Sequence, residues 1–193
     1  DGTLWAWGAN GSGQLGLGDT ASRSSPVQVG SETWLTVAAG DNCTLAIKPD
    51  GTLWAWGANG SGQLGLGDTA SRSSPVQVGS ETWLTVAAGD NCTLAIKPDG
   101  TLWAWGANGS GQLGLGDTAS RSSPVQVGSS TWSAADIAGY HALAIKSDGT
   151  LWAWGYNESG QLGLGDTLQR ESPAQVGSET WSDIGAGGTD SFV

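Results

Sequence analysis

The sequence predicts an all-β chain, a β-propeller built from four-stranded antiparallel blades. Three observations support this fold class: a tandem repeat of 49 residues, short β segments separated by turn signals, and tryptophans at fixed places in each repeat. Residues 1–49 recur unchanged as 50–98, the third copy (99–147) stays identical through Ser129, and a diverged fourth copy spans 148–193. A period of this size is typical of stacked or radial repeats, in which no unit buries its apolar face alone. We therefore expect the whole chain to form one propeller domain, a ring or a half-ring.

Three short β segments follow one another closely in each repeat. Leu35–Ala39 ends at a glycine, and Thr44–Lys48 is separated from Thr52–Trp56 by Pro-Asp-Gly. Asp-Gly between two alternating runs predicts a β-hairpin, and the type I′ turn that this dipeptide favours needs positive φ at both central residues. Alternation places Leu53 and Ala55 on one face of the second hairpin strand and its two tryptophans on the other.

A glycine-punctuated connection, residues 57–68, follows the hairpin and leads to a fourth strand at Ser74–Val78. Pro75 stands near the start of that strand, where no ladder donor is lost. No segment shows helical periodicity, so we expect four short antiparallel strands per unit. Large aromatic side chains in strict register indicate repeated packing positions. The twelve structural tryptophans are Trp5, Trp7, Trp34, Trp54, Trp56, Trp83, Trp103, Trp105, Trp132, Trp152, Trp154 and Trp181.

The charge balance excludes several classes of partner. Lys and Arg number 7 against 18 Asp and Glu, which gives a net charge of −11. Nucleic acids and anionic membranes attract clustered cations, and the sequence has no run of Lys or Arg, so we expect neither partner. The apolar stretches are too short to span a bilayer. Two cysteines without a disulfide framework favour a cytoplasmic origin, and secretion stays open because the sequence does not begin with Met.

The string W-A-W-G-x-N-x-x-G-Q-L-G-L-G-D recurs at 5–19, 54–68, 103–117 and 152–166. Together with the V-A-A-G and T-L-A-I-K-x-D-G segments, it resembles the repeat of the regulator of chromosome condensation family. The resemblance covers the whole chain and implies a β-propeller, usually of seven blades. Near-identical copies make the chain look like a bacterial-like or engineered array of such blades.

The same resemblance implies binding functions rather than catalysis. Eukaryotic members of the family add a basic tail and specialised loops for nucleosome binding and for nucleotide exchange on a small GTPase. Bacterial relatives of the fold include a protein inhibitor of β-lactamases. The 193 residues contain neither eukaryotic addition, so neither eukaryotic activity is transferred to any residue of this chain.

The sequence indicates no enzyme and no cofactor. The glycine-rich string lacks the following helix or lysine that a phosphate site needs. Asp19 and its copies each precede an arginine by four residues, but acid–base pairs need unlike environments and these are identical. His141 is the single histidine, so no Ser–His–Asp set assembles convincingly. We therefore predict no catalytic residue.

One repeated position holds side chains that can bind metals. Cys43 and Cys92 align with His141 and Asp190 at a spacing of 49 residues. The matching position of the family commonly holds histidine, so cysteine is the departure here. The four side chains would converge only if that position lined the axis of the ring. The favoured interpretation is one small buried side chain per blade, and a metal site is the alternative.

We expect a non-enzymatic scaffold that binds another protein on one rim of the ring. A binding face should lie where the copies differ, and tyrosines, of which there are two, are enriched among interface anchors. The alternative is a recently amplified or engineered repeat array without a molecular target, because selection for one partner would have diversified the exposed loops. The candidate protein-binding residues are Ser130, Asp136, Tyr140, His141, Tyr156, Glu158, Leu168, Gln169 and Glu171.

The two ends of the chain predict how the ring closes. Residues 189–193 align with 42–46, whose partner strand in a complete unit is Thr52–Trp56. The last strand should therefore pair with the first strand of some chain. Two chains would make eight blades of about 45° each, nearer to the about 51° of a seven-bladed ring than the about 90° of a four-bladed one. We expect a homodimer closing one ring, with a four-bladed monomer or a piece of a longer ring as alternatives.

Overall fold

The structure is a computed structural model and describes residues 2–193. In this part of the chain every regular element is a β-strand, which confirms the predicted all-β propeller class. The strands are β1 (Thr3–Gly8), β2 (Arg23–Thr33), β3 (Thr36–Ala39), β4 (Cys43–Ile47), β5 (Thr52–Gly57), β6 (Arg72–Thr82), β7 (Thr85–Ala88), β8 (Cys92–Ile96), β9 (Thr101–Gly106), β10 (Arg121–Ile137), β11 (His141–Lys146), β12 (Thr150–Gly155), β13 (Arg170–Thr180), β14 (Gly185–Ala186) and β15 (Ser191–Phe192). None of the described residues lies in a helix that is long and apolar enough to cross a membrane.

The strands form three complete blades between two half-blades. The first complete blade is the antiparallel sheet β3-β4-β5-β6. The next two blades share β10, whose first part pairs with β9 and whose last part pairs with β11. The sheets β1-β2 and β14-β15 stand alone, and we call them the N-terminal and C-terminal half-blades. Each 49-residue repeat therefore supplies two outer strands of one blade and two inner strands of the next, so repeats and blades are offset.

The hairpin between β4 and β5 shows why this local sequence folds as it does. The predicted hairpin is present, with Leu45 opposite Ala55. The predicted type I′ turn is wrong, because Asp50 does not take a positive φ while Gly51 does, at 83°. The Gly51 N–H donates to the Lys48 carbonyl at 2.9 Å, as in a type I turn followed by a left-handed glycine. Pro49 is compatible with the first central φ of that turn, and the same turn forms with Ser147 in its place, where the Gly149 N–H donates to the Lys146 carbonyl at 2.9 Å.

A buried asparagine orders the glycine-rich connection after each β-hairpin. Asn59 is fully buried, and its Nδ2 donates to the carbonyls of Asp68 and Ala70 at 3.0 and 3.1 Å. Its Oδ1 accepts from the Leu64 N–H at 3.0 Å. One side chain therefore satisfies backbone groups at both ends of the connection, and the same contacts recur around Asn10, Asn108 and Asn157.

The apolar core lies between successive blades. One cluster joins Leu45 and Leu53 of the first complete blade to Trp83 and Trp105 of the second. The ends of the inner strands β3, β7, β10 and β14 also meet, around a cavity of about 280 Å³. No blade buries its own faces, so stability comes from stacking one unit on the next.

Candidate functional site

A buried tryptophan packs on the glycine loop of the preceding repeat and joins successive blades. Trp105 is fully buried, and its Nε1 donates to the Gln63 carbonyl at 2.9 Å. A Cβ on Gly65 would lie 2.8 Å from that Nε1, so only glycine leaves room for the indole. Gly65 also takes a φ of 71°, which other residues rarely adopt. We call this arrangement the tryptophan slot, and it recurs for Trp56 and Trp154.

The first copies of two tryptophans do not share the environment of their equivalents. Trp7 occupies the repeat position of the buried Trp105 but is 60% exposed. Trp5 is 49% exposed, whereas Trp54 is half-buried. The repeated packing positions predicted for the tryptophans are therefore not filled in the first copies. Within residues 2–193, Trp7 has no preceding glycine loop like the one that holds Trp56, and Trp5 has no preceding tryptophan and lysine like those that pack on Trp54.

Each complete blade forms an aromatic groove together with the outer strand of the preceding unit. In the first, the rings of Trp34 and Trp54 meet edge to face, with centroids 6.4 Å apart and planes at 87°. The Lys48 ammonium lies 4.0 Å from the Trp54 centroid and 5.3 Å from the Trp34 centroid. Its Nζ also lies 2.8 Å from Glu32 Oε2. The groove encloses about 390 Å³ and thus holds a cation over two π faces, paired with a carboxylate.

Three of the predicted protein-binding residues lie together on one rim. The rings of Tyr140 and Tyr156 are 6.4 Å apart in an edge-to-face arrangement. Tyr156 Oη donates to Glu158 Oε2 at 2.7 Å, and this bond raises the pKa of the tyrosine hydroxyl. Tyr140 is exposed, and the Tyr156 N–H donates to the Tyr140 carbonyl at 2.8 Å. We call these three residues the tyrosine rim.

Two further candidates lie on the neighbouring loop. Leu168 is 65% exposed, and Gln169 is exposed beside it. The Leu168 carbonyl accepts from Asn157 Nδ2 at 3.1 Å, which ties this loop to the residue that follows Tyr156. Ser130 and Glu171 lie on outer strands, in β10 and β13.

His141 is buried, so the prediction that it lies on a binding surface is wrong, whereas Asp136 is half-buried. His141 is fully buried, and its Nε2 lies 3.0 Å from Ser191 Oγ. Burial lowers the pKa of the His141 imidazole. Asp136 uses its carboxylate internally, accepting from the Ile137 N–H at 2.9 Å and the Ala186 N–H at 2.8 Å. Both side chains hold β10 and β11 against the C-terminal half-blade.

The repeated position of Cys43, Cys92, His141 and Asp190 does not assemble a ligand set. Residues 2–193 contain no group of three or more His, Cys, Asp or Glu side chains placed to hold a metal ion. Both cysteines are free and buried, and burial raises the pKa of Cys43 to about 11 and of Cys92 to about 12. Their thiols are therefore neutral near pH 7 and poor metal ligands.

The repeated Asp–Arg pairs are local loop contacts. Arg72 Nη2 lies 2.6 Å from Asp68 Oδ2 on the protein surface. The Ala70 N–H and the Arg72 guanidinium, both donating to this carboxylate, hold the pKa of Asp68 below its ordinary value. All four pairs have the same geometry, at Asp19–Arg23, Asp68–Arg72, Asp117–Arg121 and Asp166–Arg170. Identical exposed carboxylates of this kind do not provide the unlike acid and base of a catalytic pair.

The sheet order and the repeated tryptophan slots define a β-propeller of the regulator of chromosome condensation type. Residues 1–193 match the family model described as the RCC1-like domain, and the chain belongs to that family. A comparison with curated protein sequences gives no match.

Solved structures show the same fold. Yeast RCC1 (Prp20) bound to Kap60 superposes with a TM-score of 0.87 at 22% identity, over 98% of this chain and 49% of that one. Human WBSCR16 gives 0.79 at 25% identity, over 91% and 48%. Prp20p from Saccharomyces cerevisiae, studied for binding to Gsp1p and histones, gives 0.81 at 22%, over 91% and 46%. The chain spans about half the length of each of these structures.

Sequence reasoning missed the aromatic grooves. They join residues distant in the repeat, Glu32, Trp34, Lys48 and Trp54, through strands of two blades. The available signal was a lysine and a glutamate at fixed places in both of the first two repeats, Glu32 with Lys48 and Glu81 with Lys97.

Proposed function

We propose that the chain is a non-enzymatic propeller scaffold that binds another protein through the tyrosine rim. The observation that carries this proposal is that the copies diverge at Tyr140, Tyr156 and Glu158 and that these three side chains lie together. At the positions of Tyr156 and Glu158 the other repeats have only alanine and glycine. Clustered tyrosines supply large, rigid contact area at low entropic cost. Two of the similar structures also concern protein binding, RCC1 (Prp20) with Kap60 and Prp20p with Gsp1p and histones.

Affinity selection with matched variants tests this proposal. The immobilised wild-type chain, the double variant Tyr140→Ala/Tyr156→Ala and the control Leu84→Ala are exposed to the same native lysate. Leu84 is 56% exposed on a different blade, so its loss should leave the rim intact. We expect a protein retained by wild type and control, with at least about tenfold weaker binding to the double variant. Retention that is equal on all three baits would contradict the tyrosine rim. The alternative, a recently amplified or engineered array without a target, predicts no specific retention on any bait.

We further propose that two chains close one ring by joining their half-blades. β1 and β2 pair in the same register as β5 and β6, the outer strands of a complete blade, with Trp5 opposite Gln28. β14 and β15 pair in the register of β3 and β4, the inner strands, with Gly185 opposite Phe192. The two half-blades are therefore complementary, and β15 of one chain and β1 of another would be neighbours in one composite blade.

Unfilled packing positions at both half-blades support the same assembly. Trp7 is exposed, and Phe192 is 63% exposed although its equivalent Leu45 is fully buried. At the other end, a Cβ on Gly163 would meet no tryptophan, unlike one on Gly65. Gly163 and Gln161 thus form a tryptophan slot without its tryptophan, and Trp7 of a second copy fits it by repeat position. Three complete blades and two half-blades in each of two chains make an eight-bladed ring with two identical joints.

Light scattering against concentration tests this self-association. We expect a species of about 39 kDa, twice the 19.5 kDa of one chain. Trp7→Asp should give 19.5 kDa, because it removes the indole and introduces a charge that the slot cannot solvate. Leu84→Asp, an equally drastic change at an exposed position outside the joints, should stay dimeric. A wild-type mass of 19.5 kDa at every concentration would rule out the two-chain ring.

A further inference from the structure

The three aromatic grooves are internal replicas, and one of them lacks a component. The first two each contain a lysine paired with a glutamate, Lys48 with Glu32 at 2.8 Å and Lys97 with Glu81 at 3.0 Å. In the third groove the repeat position of the glutamate is occupied by Ser130. The groove still has its two tryptophans at a centroid distance of 6.3 Å and an angle of 83°.

The lysine of the third groove, Lys146, has no carboxylate within salt-bridge distance among the described residues. It lies closer to the tryptophan face than its equivalents, 3.5 Å from the Trp152 centroid against 4.0 Å in the other two grooves. Asp148, two residues along the chain, accepts from the Thr150 N–H and Oγ1 at 3.0 and 2.7 Å. The equivalent aspartates make these contacts in all three blades, so Asp148 does not replace the missing glutamate.

The space around this lysine is open. The third groove encloses about 340 Å³ between Gly114, Trp132, Trp152 and Pro173. A second cavity, of about 580 Å³ and lined by Ser130 and Lys146 among others, adjoins it. The two cavities share these two side chains, so the place that a glutamate occupies in the other blades is accessible from solvent.

We propose that the third groove is a binding site for a carboxylate carried on a short apolar stem. The carboxylate takes the place of the missing glutamate and pairs with Lys146 Nζ, while Ser130, which lines both cavities, offers a hydroxyl donor. The stem lies against the tryptophan faces, which supply apolar area. The carboxylate comes either from a peptide C-terminus or from an acidic side chain, and both place the same charge at the same point.

This site is independent of the proposed tyrosine rim. Tyr140 precedes the first residue of β11 and Lys146 is its last, so the two lie at opposite ends of one strand. The chain has a net charge of −11, which repels anions in general. Binding therefore depends on the local cation and is expected to weaken with added salt.

Isothermal titration calorimetry with four small probes tests the proposal on the full chain. N-acetyl-leucine presents a terminal carboxylate, and N-acetyl-leucine amide is its neutral match. N-acetyl-glutamate amide and N-acetyl-glutamine amide form the corresponding side-chain pair. We expect saturable binding of at least one acid, with one site per chain and at least about tenfold weaker binding of its neutral match. The acid that binds more tightly identifies the source of the carboxylate.

Two variants provide the decisive control: one adds the glutamate to the third groove, and the other removes it from the second. Ser130→Glu rebuilds the internal ion pair, and we expect the acid to lose at least about tenfold in affinity. Glu81→Ser opens the second groove, and we expect the stoichiometry to rise from one site per chain to two. Circular dichroism of both variants verifies the fold. Equal affinity for acid and amide, an absence of saturable binding by either acid, or unchanged binding by Ser130→Glu would overturn the proposal.

Discussion

Trp7 and Trp105 hold the same repeat position but differ in burial. Replacing each in turn shows whether burial, rather than residue type, determines its contribution to stability. Trp105 is fully buried in its slot, with its ring 5.7 Å from that of Trp83, whereas Trp7 is 60% exposed in the single chain. Removing a buried tryptophan side chain costs about 3–5 kcal/mol, and an exposed substitution costs within about 0.5 kcal/mol. We therefore expect Trp105→Ala to lower the free energy of unfolding by about 3–5 kcal/mol and Trp7→Ala to leave it nearly unchanged in dissociated chains.

The assay is urea unfolding followed by circular dichroism at a protein concentration low enough to dissociate any dimer. Trp105→Phe serves as an intermediate, because it keeps a ring but loses the hydrogen bond to the Gln63 carbonyl. That carbonyl keeps its bond from Thr93 Oγ1 at 3.0 Å, so it is not left unpaired, and the lost bond costs only about 1 kcal/mol in addition to the lost volume. Equal losses for Trp7→Ala and Trp105→Ala would refute the tryptophan slot as the source of inter-blade stability.

Three further predictions concern single positions. Gly65→Ala should destabilise the fold by more than about 1 kcal/mol, because Gly65 has a φ of 71° and the new Cβ would lie 2.8 Å from the Trp105 indole. Gly60, which has open space around it, provides the control variant Gly60→Ala in the same urea assay. Cys92 should resist iodoacetamide in the folded chain at pH 8 and react after unfolding, since burial raises its thiol pKa to about 12; labelling of the folded chain at the unfolded rate would contradict this. The pKa of His141 is lowered in the folded chain, so the unfolded chain binds the proton at higher pH than the folded chain does. The free energy of unfolding should therefore fall as pH drops below about 6.5, and His141→Gln should remove that part of the pH profile. A pH profile that His141→Gln leaves unchanged would contradict this.

The repeat pattern predicted the fold class, because local alternation and turn residues act within one unit, and the resemblance of its recurring motif predicted the family. The strand pairs around Asp50-Gly51 were predictable for that reason, although the turn between them is not the type I′ turn that Asp-Gly favours. The sequence also failed to predict that β10 runs unbroken from Arg121 to Ile137, whereas in the other repeats the strand ends at the threonine before the equivalent tryptophan. β10 belongs to two blades because its first part pairs with β9 and its last part pairs with β11.

Contacts between units were harder to predict than contacts within them. Trp7 matches Trp105 in sequence, but its burial depends on a loop of the preceding repeat. His141 is polar and varies between repeats, which suggested a surface role, yet Ser191 from the C-terminal half-blade covers it. Of the candidate binding residues, Tyr140 and Tyr156 lie together because their backbones are bonded as those of Asn42 and Ala58 are, with the Tyr156 N–H donating to the Tyr140 carbonyl at 2.8 Å.

Hydrogen exchange of the half-blade amides tests the two-chain ring most directly. In a composite blade, those amides of β1 (Thr3–Gly8) and β15 (Ser191–Phe192) that do not face β2 and β14 pair across the two chains. At concentrations that favour association, we expect them to be protected about as strongly as those of the central strands β4 and β5 of the first complete blade. Dilution should remove this protection from β1 and β15 while β4 and β5 keep theirs. Rapid exchange of β1 and β15 at every concentration, with β4 and β5 protected, would contradict the proposed closure of the ring.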